Sequence, residues 1–575
     1  MSARGLSDDI LAVLDRRAET RLLSVLARDG RETAFTGAAI AAAAGRMQTL
    51  WSACLGPGPK VLIAALPPGE TFLIALTASL LGAGTLVPVA LPRVTDPPDR
   101  LHRMATGCGA AAALCLSRNR AAVEAQLRDA AGKMACPVLA LDAPEVCAVS
   151  RNSGRALADV PIVQHTSGST RFPKPVPVGA DQIRANCALI RSLWGMGPET
   201  VMVSWLPQYH DMGLMGGILY PLLCGARSVQ MNPFDMIRSP LSWLEAISDH
   251  RATMSGGPAF AFQDCLSRIA PDEGRRLDLS RWERAFCGAE PVPAGLLERF
   301  AARFAPNGLR RSAVFACYGM AETTLFAAGE PDPGHDRAPS GSGSSGSGSS
   351  GLGPSAPAAP PDSVPAGWRR HEGCRLSQTT RQALAIVDPE TGAPLPEGAE
   401  GEIWLSGASL VTGYLGQPGE SACSFVTDAA GRRWLRTGDL GGIAGGRLFV
   451  TGRCKDIVIV NGRNVAAAEI EWIAARQDPA LNPSGAAAVV PEGSEAGHAV
   501  LHIEVRAGRA GQMPADCAAL ESKIRRAVLG GCGVTLDAVH ILRRGSLPRT
   551  TSGKIRRSAV LRPDARAAPA DGESV

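Results

Sequence analysis

Gln164-His-Thr-Ser-Gly-Ser-Thr-Arg-Phe-Pro-Lys174 is the stretch on which the reading of this chain turns. Its core, Thr166, Ser167, Gly168, Ser169 and Thr170, is a run of small hydroxyl residues around one glycine. Such a loop can wrap closely round an anion. Backbone N–H groups and hydroxyls point inward, and no bulky side chain blocks the approach. The apolar run Val160-Pro-Ile-Val163 just before it reads as a strand. Strand followed by Gly/Ser/Thr loop is one way of holding phosphates, although an ordinary Ser/Gly turn has the same composition. It is not a Walker A loop, because Gly-x-x-x-x-Gly-Lys-[Ser/Thr] occurs nowhere in the chain.

On either side of this loop, apolar strands alternate with Ala/Leu-rich helices up to about residue 330. Val61-Leu-Ile-Ala-Ala-Leu66 is a strand ending at Pro67-Pro-Gly69, and residues 72–81 continue as an apolar helix. Leu86-Val-Pro-Val-Ala90, Val138-Leu-Ala-Leu141, Val201-Met-Val203 and Val314-Phe-Ala-Cys317 are further strands. This alternation predicts an α/β class with layered, largely parallel sheets. Residues 71–92 carry no charge and are long enough to span a bilayer. Gly82-Ala-Gly84 interrupts them and Pro88 follows, so a buried helix and a buried strand are the better reading. No stable membrane insertion is expected.

Composition shifts abruptly at residues 339–361, which are Gly/Ser-rich and then Ala/Pro-rich. Such a segment buries too little apolar area to offset its ordering entropy, so it reads as a mobile loop within about 330–375. It contains Gly341, Gly343 and Gly346 at Gly-x-Gly-x-x-Gly spacing, but no strand precedes them and repetition explains the match. Order resumes at Ala383-Leu-Ala-Ile-Val387. Gly401-Glu-Ile-Trp-Leu405, Arg447-Leu-Phe-Val450 and Ile457-Val-Ile-Val460 read as antiparallel strands. Ala499-Val-Leu-His-Ile-Glu-Val505 and a helix over residues 515–529 belong to a small C-terminal α+β domain. The expected division is 1–452 and 453–575.

A chain of 575 residues with 45% hydrophobic content exceeds one compact core and implies roughly two to four folding units. The net charge of +5 is small for this length and there is no dense Lys/Arg block, so no nucleic acid partner is expected. Aromatics at 5% leave little for a base-stacking surface. The fifteen cysteines form no C-x-x-C pair and no His/Cys cluster at metal-ligand spacing. The apolar run Ile10-Leu-Ala-Val-Leu14 is too short for a signal peptide. Reduced thiols in a cytoplasmic protein are expected.

Further motifs follow the loop in order: Ser204-Trp-Leu-Pro-Gln-Tyr-His-Asp-Met-Gly-Leu214, Ser255-Gly-Gly-Pro-Ala-Phe260, Gly288-Ala-Glu-Pro-Val292 and Tyr318-Gly-Met-Ala-Glu322. After the low-complexity segment come Arg436-Thr-Gly-Asp439, a turn presenting one carboxylate, then Gly452-Arg-Cys-Lys-Asp456 and Pro548-Arg-Thr-Thr-Ser-Gly-Lys554. Each is weak alone. Their joint, ordered occurrence resembles the adenylate-forming, or acyl-activating, enzyme superfamily over nearly the whole chain outside 330–375 and the two ends. Trp205-Leu-Pro, His210-Asp-Met-Gly-Leu, Ala321-Glu-Thr-Thr-Leu325 and Arg171 narrow the resemblance to fatty acyl-AMP ligases.

The resemblance implies a large N-terminal domain, of layered α/β subdomains plus a β-rich one, followed by a small mobile C-terminal lid. It implies attack of a fatty acid carboxylate on the α-phosphorus of ATP, with Mg²⁺ as cofactor, and transfer of the acyl group to a carrier protein or a polyketide/nonribosomal peptide synthase. Thr166, Ser167, Gly168, Ser169 and Thr170 would cradle the departing phosphates. Glu322 would hold Mg²⁺, a hard ion suited to carboxylate. Tyr318 and Gly319 would face adenine on one side and Gly288, Ala289 and Glu290 on the other. Asp439 would bind the ribose hydroxyls, with Arg453 as second contact, and Lys455 would be the hinge. Lys554 would neutralise charge in the transition state from the mobile domain. His210 would sit near the acyl carboxylate, and Met212, Leu214, Met215, Ile218 and Phe260 would line the acyl tunnel.

Three places depart from the pattern. Pro175 stands where the family has Gly and removes a backbone donor beside the loop. Val465-Ala-Ala-Ala468 replaces the family's x-Tyr-Pro-x. The family's ordered insertion after Phe326, which hinders the rotation used for CoA chemistry, is replaced by Gly/Ser/Pro-rich sequence unsuited to a rigid wedge. An acyl-CoA synthetase therefore stays open as a second reading. A catalytically weakened binding homologue is a third, opposed by the presence of Lys554, Glu322 and Asp439.

Overall fold

A computed structural model describes residues 5–82, 84–93, 96–143, 157, 159–166, 173–332, 364–365, 367–460, 463–491, 497–506, 513–514, 516–549 and 555–560. The Gly/Ser-rich segment 339–361 lies outside them.

Two sheets form the layers before residue 330. The first has six strands in the order Val138–Ala140, Ala112–Cys115, Val61–Ala64, Thr85–Pro88, Ile162–His165 and Pro175–Val178. Its pairs are parallel except the last, in which His165 faces Pro175. Pro175 thus begins an edge strand, where a missing N–H breaks no interior ladder. The second has seven strands in the order Val314–Ala316, Arg284–Cys287, Met254–Gly257, Val201–Ser204, Arg227–Gln230, Arg21–Leu26 and Glu32–Thr36. Only the last pair is antiparallel. Every residue of Val61–Ala64 is buried, because helices cover both faces, and this is why such strands read as unbroken apolar runs. The uncharged stretch resolves into the helix Glu70–Leu81 and the strand Thr85–Pro88. Among the described residues no helix is long and apolar enough to cross a membrane.

The third sheet is antiparallel, in the order Cys374–Arg375, Arg447–Arg453, Arg433–Ala444, Gly401–Leu405 and Leu384–Val387, with Phe425–Thr427 also on Arg433–Ala444. It corrects one expectation. Arg436-Thr-Gly-Asp439 is not a turn but part of the strand Arg433–Ala444. Gly438 takes φ +70° and the register shifts just after Leu440, so the turn-like composition produces a bulge that bends the strand.

From Val458 onward a separate core gathers Val465, Ile470, Leu501, Ile503, Ile524 and Val528. The strands Leu481–Val489, His498–Val505 and Thr535–Leu542 form its sheet, with the helices Ala467–Ala475 and Cys517–Cys532 against it. The architecture is the expected α/β class, with a β-rich part and a small α+β part at the C-terminal end.

Candidate active site

A cavity of about 1640 Å³ opens where five strands of the seven-stranded sheet end. Trp205, Phe234, Phe260, Ala289 and Tyr318 line it, each within a few residues of the carboxyl end of its strand. This is the ligand-binding edge of an open parallel sheet. Trp472 and Arg557, from the C-terminal part, line the same cavity.

Asp439 is 6% exposed and stands opposite Arg453 on the neighbouring antiparallel strand. Arg453 Nε lies 2.9 Å from Asp439 Oδ1, and the Tyr318 hydroxyl donates to Oδ2 at 2.7 Å. The Asp439 charge holds the Arg453 guanidinium above its ordinary pKa, while burial and the same carboxylate push the Tyr318 phenol up. The Tyr318 ring is thereby held at a fixed angle on the cavity wall. Gly319, next to it, has no alternative: a Cβ there would fall on the Leu325 carbonyl oxygen.

Ala289 and Glu290 also line the cavity. Ala289 has a left-handed φ of +68°, an uncommon conformation that a built site can hold in place. Gly288 supports the wall from behind, where a Cβ would meet the Cys317 carbonyl oxygen at 2.5 Å. Glu290 Oε1 accepts the Phe260 N–H at 2.9 Å, which ties together two strand ends.

Glu322 sits on a short 3₁₀ turn, Ala321–Thr323, and faces the cavity. It is partly buried, and that burial raises its pKa above the ordinary value of 4.5. The Tyr414 hydroxyl donates to its Oε1 at 2.9 Å and opposes that rise. Lys174 Nζ stands 4.6 Å from the centre of the Tyr414 ring and 2.6 Å from Glu420 Oε2. Lys174, Tyr414 and Glu322 thus form a continuous polar line.

Thr166 and Lys174 are joined by two backbone-directed bonds: Thr166 N–H to the Lys174 carbonyl at 3.0 Å, and Lys174 N–H to Thr166 Oγ1 at 3.3 Å. Ser167, Gly168, Ser169, Thr170 and Lys554 lie outside the described residues. The chain on either side of 550–554 is firmly held. Glu504 accepts the N–H groups of Gly545 and Leu547 and pairs with Arg549, while Arg557 bonds both oxygens of Glu471 and reaches Asp456.

His210 and Lys455 line the cavity, and so do Met212 and Phe260. Leu214, Met215 and Ile218, expected in the tunnel wall, are instead fully buried core residues. They lie on a π-helical segment, Met212–Leu219, which turns them away from the wall. The apolar wall is built by Ile190, Trp194, Met196, Met202 and Phe286. Sequence reasoning also missed Tyr414, for which a signal existed. The chain has four tyrosines, and Tyr209, Tyr318 and Tyr414 all line this cavity.

Residues 31–415 match the family described as AMP-binding enzyme, and the chain belongs to that family. Among curated relatives, it is 32% identical over 535 residues to the long-chain-fatty-acid–AMP ligase FadD26 of Mycobacterium marinum, covering 88% of this chain and 86% of the relative. It is 34% identical over 402 residues to the medium-chain-fatty-acid–[acyl-carrier-protein] ligase JamA of Moorena producens, covering 69% of this chain and 66% of that longer relative, just under two thirds. Among solved structures, a fatty acyl-adenylate ligase from L. pneumophila in complex with acyl adenylate and pyrophosphate superposes with a TM-score of 0.67 at 27% identity, covering 97% of this chain and 96% of that one.

Proposed function

We propose that this protein activates a fatty acid with ATP to an acyl-adenylate, releasing pyrophosphate, and passes the acyl group to the phosphopantetheine thiol of a carrier protein or synthase. The observation that carries this reading is the joining of two environments in one cavity. The Tyr318, Asp439 and Arg453 cluster suits a ribose and base, and the wall of Trp194, Met202 and Phe286 suits an alkyl chain. The names of FadD26, JamA and the L. pneumophila ligase support the same assignment.

In the first step a carboxylate oxygen attacks the α-phosphorus, and the bond to the β-phosphate oxygen breaks with its electron pair leaving on pyrophosphate. Two anions must approach in line, so positive charge and fixed geometry supply most of the catalysis. Asp439 accepts from the ribose hydroxyls, and Arg453 holds that carboxylate in place. The loop 166–170 takes the departing phosphates, His210 stands beside the carboxylate, and Lys554 brings its ammonium to the reacting atoms. In the second step the thiol sulfur attacks the acyl carbon, AMP leaves and the thiol proton is released. Residues 1–452 form the body and 453–575 the lid that changes position between the steps.

The donor set fits magnesium. Glu322 is a cavity carboxylate, and among the described residues no group of three or more His, Cys, Asp or Glu converges. Mg²⁺ is commonly held this way, by one or two carboxylates with phosphate oxygens and water completing the shell. Glu322 would hold it, and the bound ion would neutralise phosphate charge. The described cysteines are free thiols, which suits the cytoplasm.

The test is radiolabelled fatty acid with Mg-ATP, resolved for acyl-AMP, acyl-CoA and acyl-carrier protein, beside a Lys554→Ala control. Acyl-AMP that persists with CoA and is consumed by carrier protein is the expected result. Conversion to acyl-CoA would instead establish a CoA synthetase, and absence of any adenylate would overturn the activity itself.

A further inference from the structure

We propose that Asn186 is a positioning residue for Glu322, acting through the turn at residues 323–326; this rests on the reading of Glu322 as the magnesium carboxylate. Asn186 lies on the helix Ala180–Trp194 and has no exposed surface. Its Oδ1 accepts the Tyr220 hydroxyl at 2.9 Å and the Phe326 N–H at 3.0 Å. Its Nδ2 donates to the Thr323 carbonyl at 3.2 Å and the Phe326 carbonyl at 2.8 Å. An asparagine amide accepts two bonds and donates two, so its capacity is filled, and only one orientation of the amide fits these partners.

What it holds is a strained turn. Thr324, a β-branched residue, has φ +70° and ψ −53°. Such a conformation persists only where its surroundings over-determine it. The other side of the turn is fixed by Thr324 Oγ1 donating to the Ser409 carbonyl at 2.8 Å and by the Val411 N–H donating to the Glu322 carbonyl at 3.0 Å. Glu322 is the residue immediately before the Thr323 carbonyl that Asn186 grips. Without the amide, the Phe326 N–H and carbonyl and the Tyr220 hydroxyl lose this partner, and the Thr323 carbonyl is left with the Leu325 N–H alone, so the turn has reason to relax. A relaxed turn displaces the carboxylate most directly, since Glu322 adjoins it, while Phe326 at its far end packs on Trp194 of the apolar wall with ring centres 5.2 Å apart.

The experiment compares Asn186→Ala, Asn186→Asp, Tyr220→Phe, Glu322→Gln and Ile183→Val, the last a buried position one turn earlier on the same helix. Four quantities are read: the half-saturating Mg²⁺ concentration in pyrophosphate exchange, Mn²⁺ binding by electron paramagnetic resonance with an inert ATP analogue, the KM for fatty acid, and the melting temperature. Asn186→Ala is expected to raise half-saturating Mg²⁺ and weaken Mn²⁺ binding by about 10–100-fold, the usual cost of losing a group that orients a metal ligand. The KM for fatty acid should change by less than metal affinity, since only Phe326, at the far end of the turn, packs on the apolar wall. Asn186→Asp should recover part of the loss, and Tyr220→Phe should shift metal affinity in the same direction by less. Ile183→Val should lower the melting temperature and leave metal dependence as in the parent. Parental metal affinity in both Asn186→Ala and Tyr220→Phe would overturn the proposal. Should Asn186→Ala not fold, Tyr220→Phe decides alone. Parental metal affinity in Glu322→Gln would instead overturn the reading of Glu322 on which the proposal stands.

Discussion

Asp439 and Arg453 face each other across two antiparallel strands, 2.9 Å apart, and the second oxygen of Asp439 is taken by Tyr318 at 2.7 Å. Asparagine at 439 keeps the shape but leaves Arg453 without its counter-charge. Asp439→Asn is expected to raise the KM for ATP by about 10–100-fold, since a hydrogen bond to a charged group contributes about 1.5–3 kcal/mol. The KM for fatty acid should be unchanged, since the substitution removes a contact proposed for the other substrate. Steady-state kinetics with each substrate varied checks this.

Glu322 carries a cost in the native state. Its folded pKa is raised by burial above the ordinary 4.5, so the unfolded chain gives up this proton first. As pH rises from about 4.5 through the folded pKa the charged form increasingly destabilises the native state, and above that value the penalty is complete. Glu322→Gln should therefore melt higher than the parent at pH 7, with the gap closing as pH falls toward 4, while adenylation is lost. Melting curves across pH check the sign; a lower melting temperature at pH 7 would refute it.

Arg370 pairs with Glu469 and stands 5.5 Å from the centre of the Trp472 ring, linking the β-rich part to the C-terminal part. Both charged side chains are largely buried, at 22% and 15% exposure. A contact of this kind contributes about 1–3 kcal/mol, so Arg370→Ala should free the C-terminal part to move. Faster limited proteolysis within residues 453–460 and an adenylation rate lowered about 3–10-fold are expected, the range a loss of about 1 kcal/mol gives.

Arg557 and Glu504 hold the chain on the two sides of 550–554. Arg557→Ala removes the bonds to Glu471 and Asp456, and Glu504→Gln leaves Arg549 without its carboxylate. Each should lower kcat for adenylation with little change in the KM for ATP, as expected when a group acting in the transition state is less well placed. Pre-steady-state measurement of acyl-AMP formation separates this from slow product release.

The parallel strands were legible because burial on both faces leaves an apolar run such as Val61–Ala64. The order of the polar motifs was legible too, and Thr166, Ala289, Tyr318, Glu322, Asp439 and Arg453 do meet at one cavity. Three things were not. Thr-Gly-Asp439 has the composition of a turn, and only its partner strands show it to be a bulged ladder. Leu214, Met215 and Ile218 are apolar whether they face a ligand or the core, and periodicity cannot separate the two. Tyr414 lies 92 residues from the Glu322 it bonds, a pairing made by tertiary structure with no local pattern to announce it.

The placement of the tyrosines has a practical consequence. Of four in the chain, three line the cavity, and the fourth, Tyr220, is sealed from solvent with its hydroxyl committed. Phenol absorbance and phenol-specific labelling therefore act as built-in reporters. A ligand that enters the cavity meets phenol groups that no surface outside it carries.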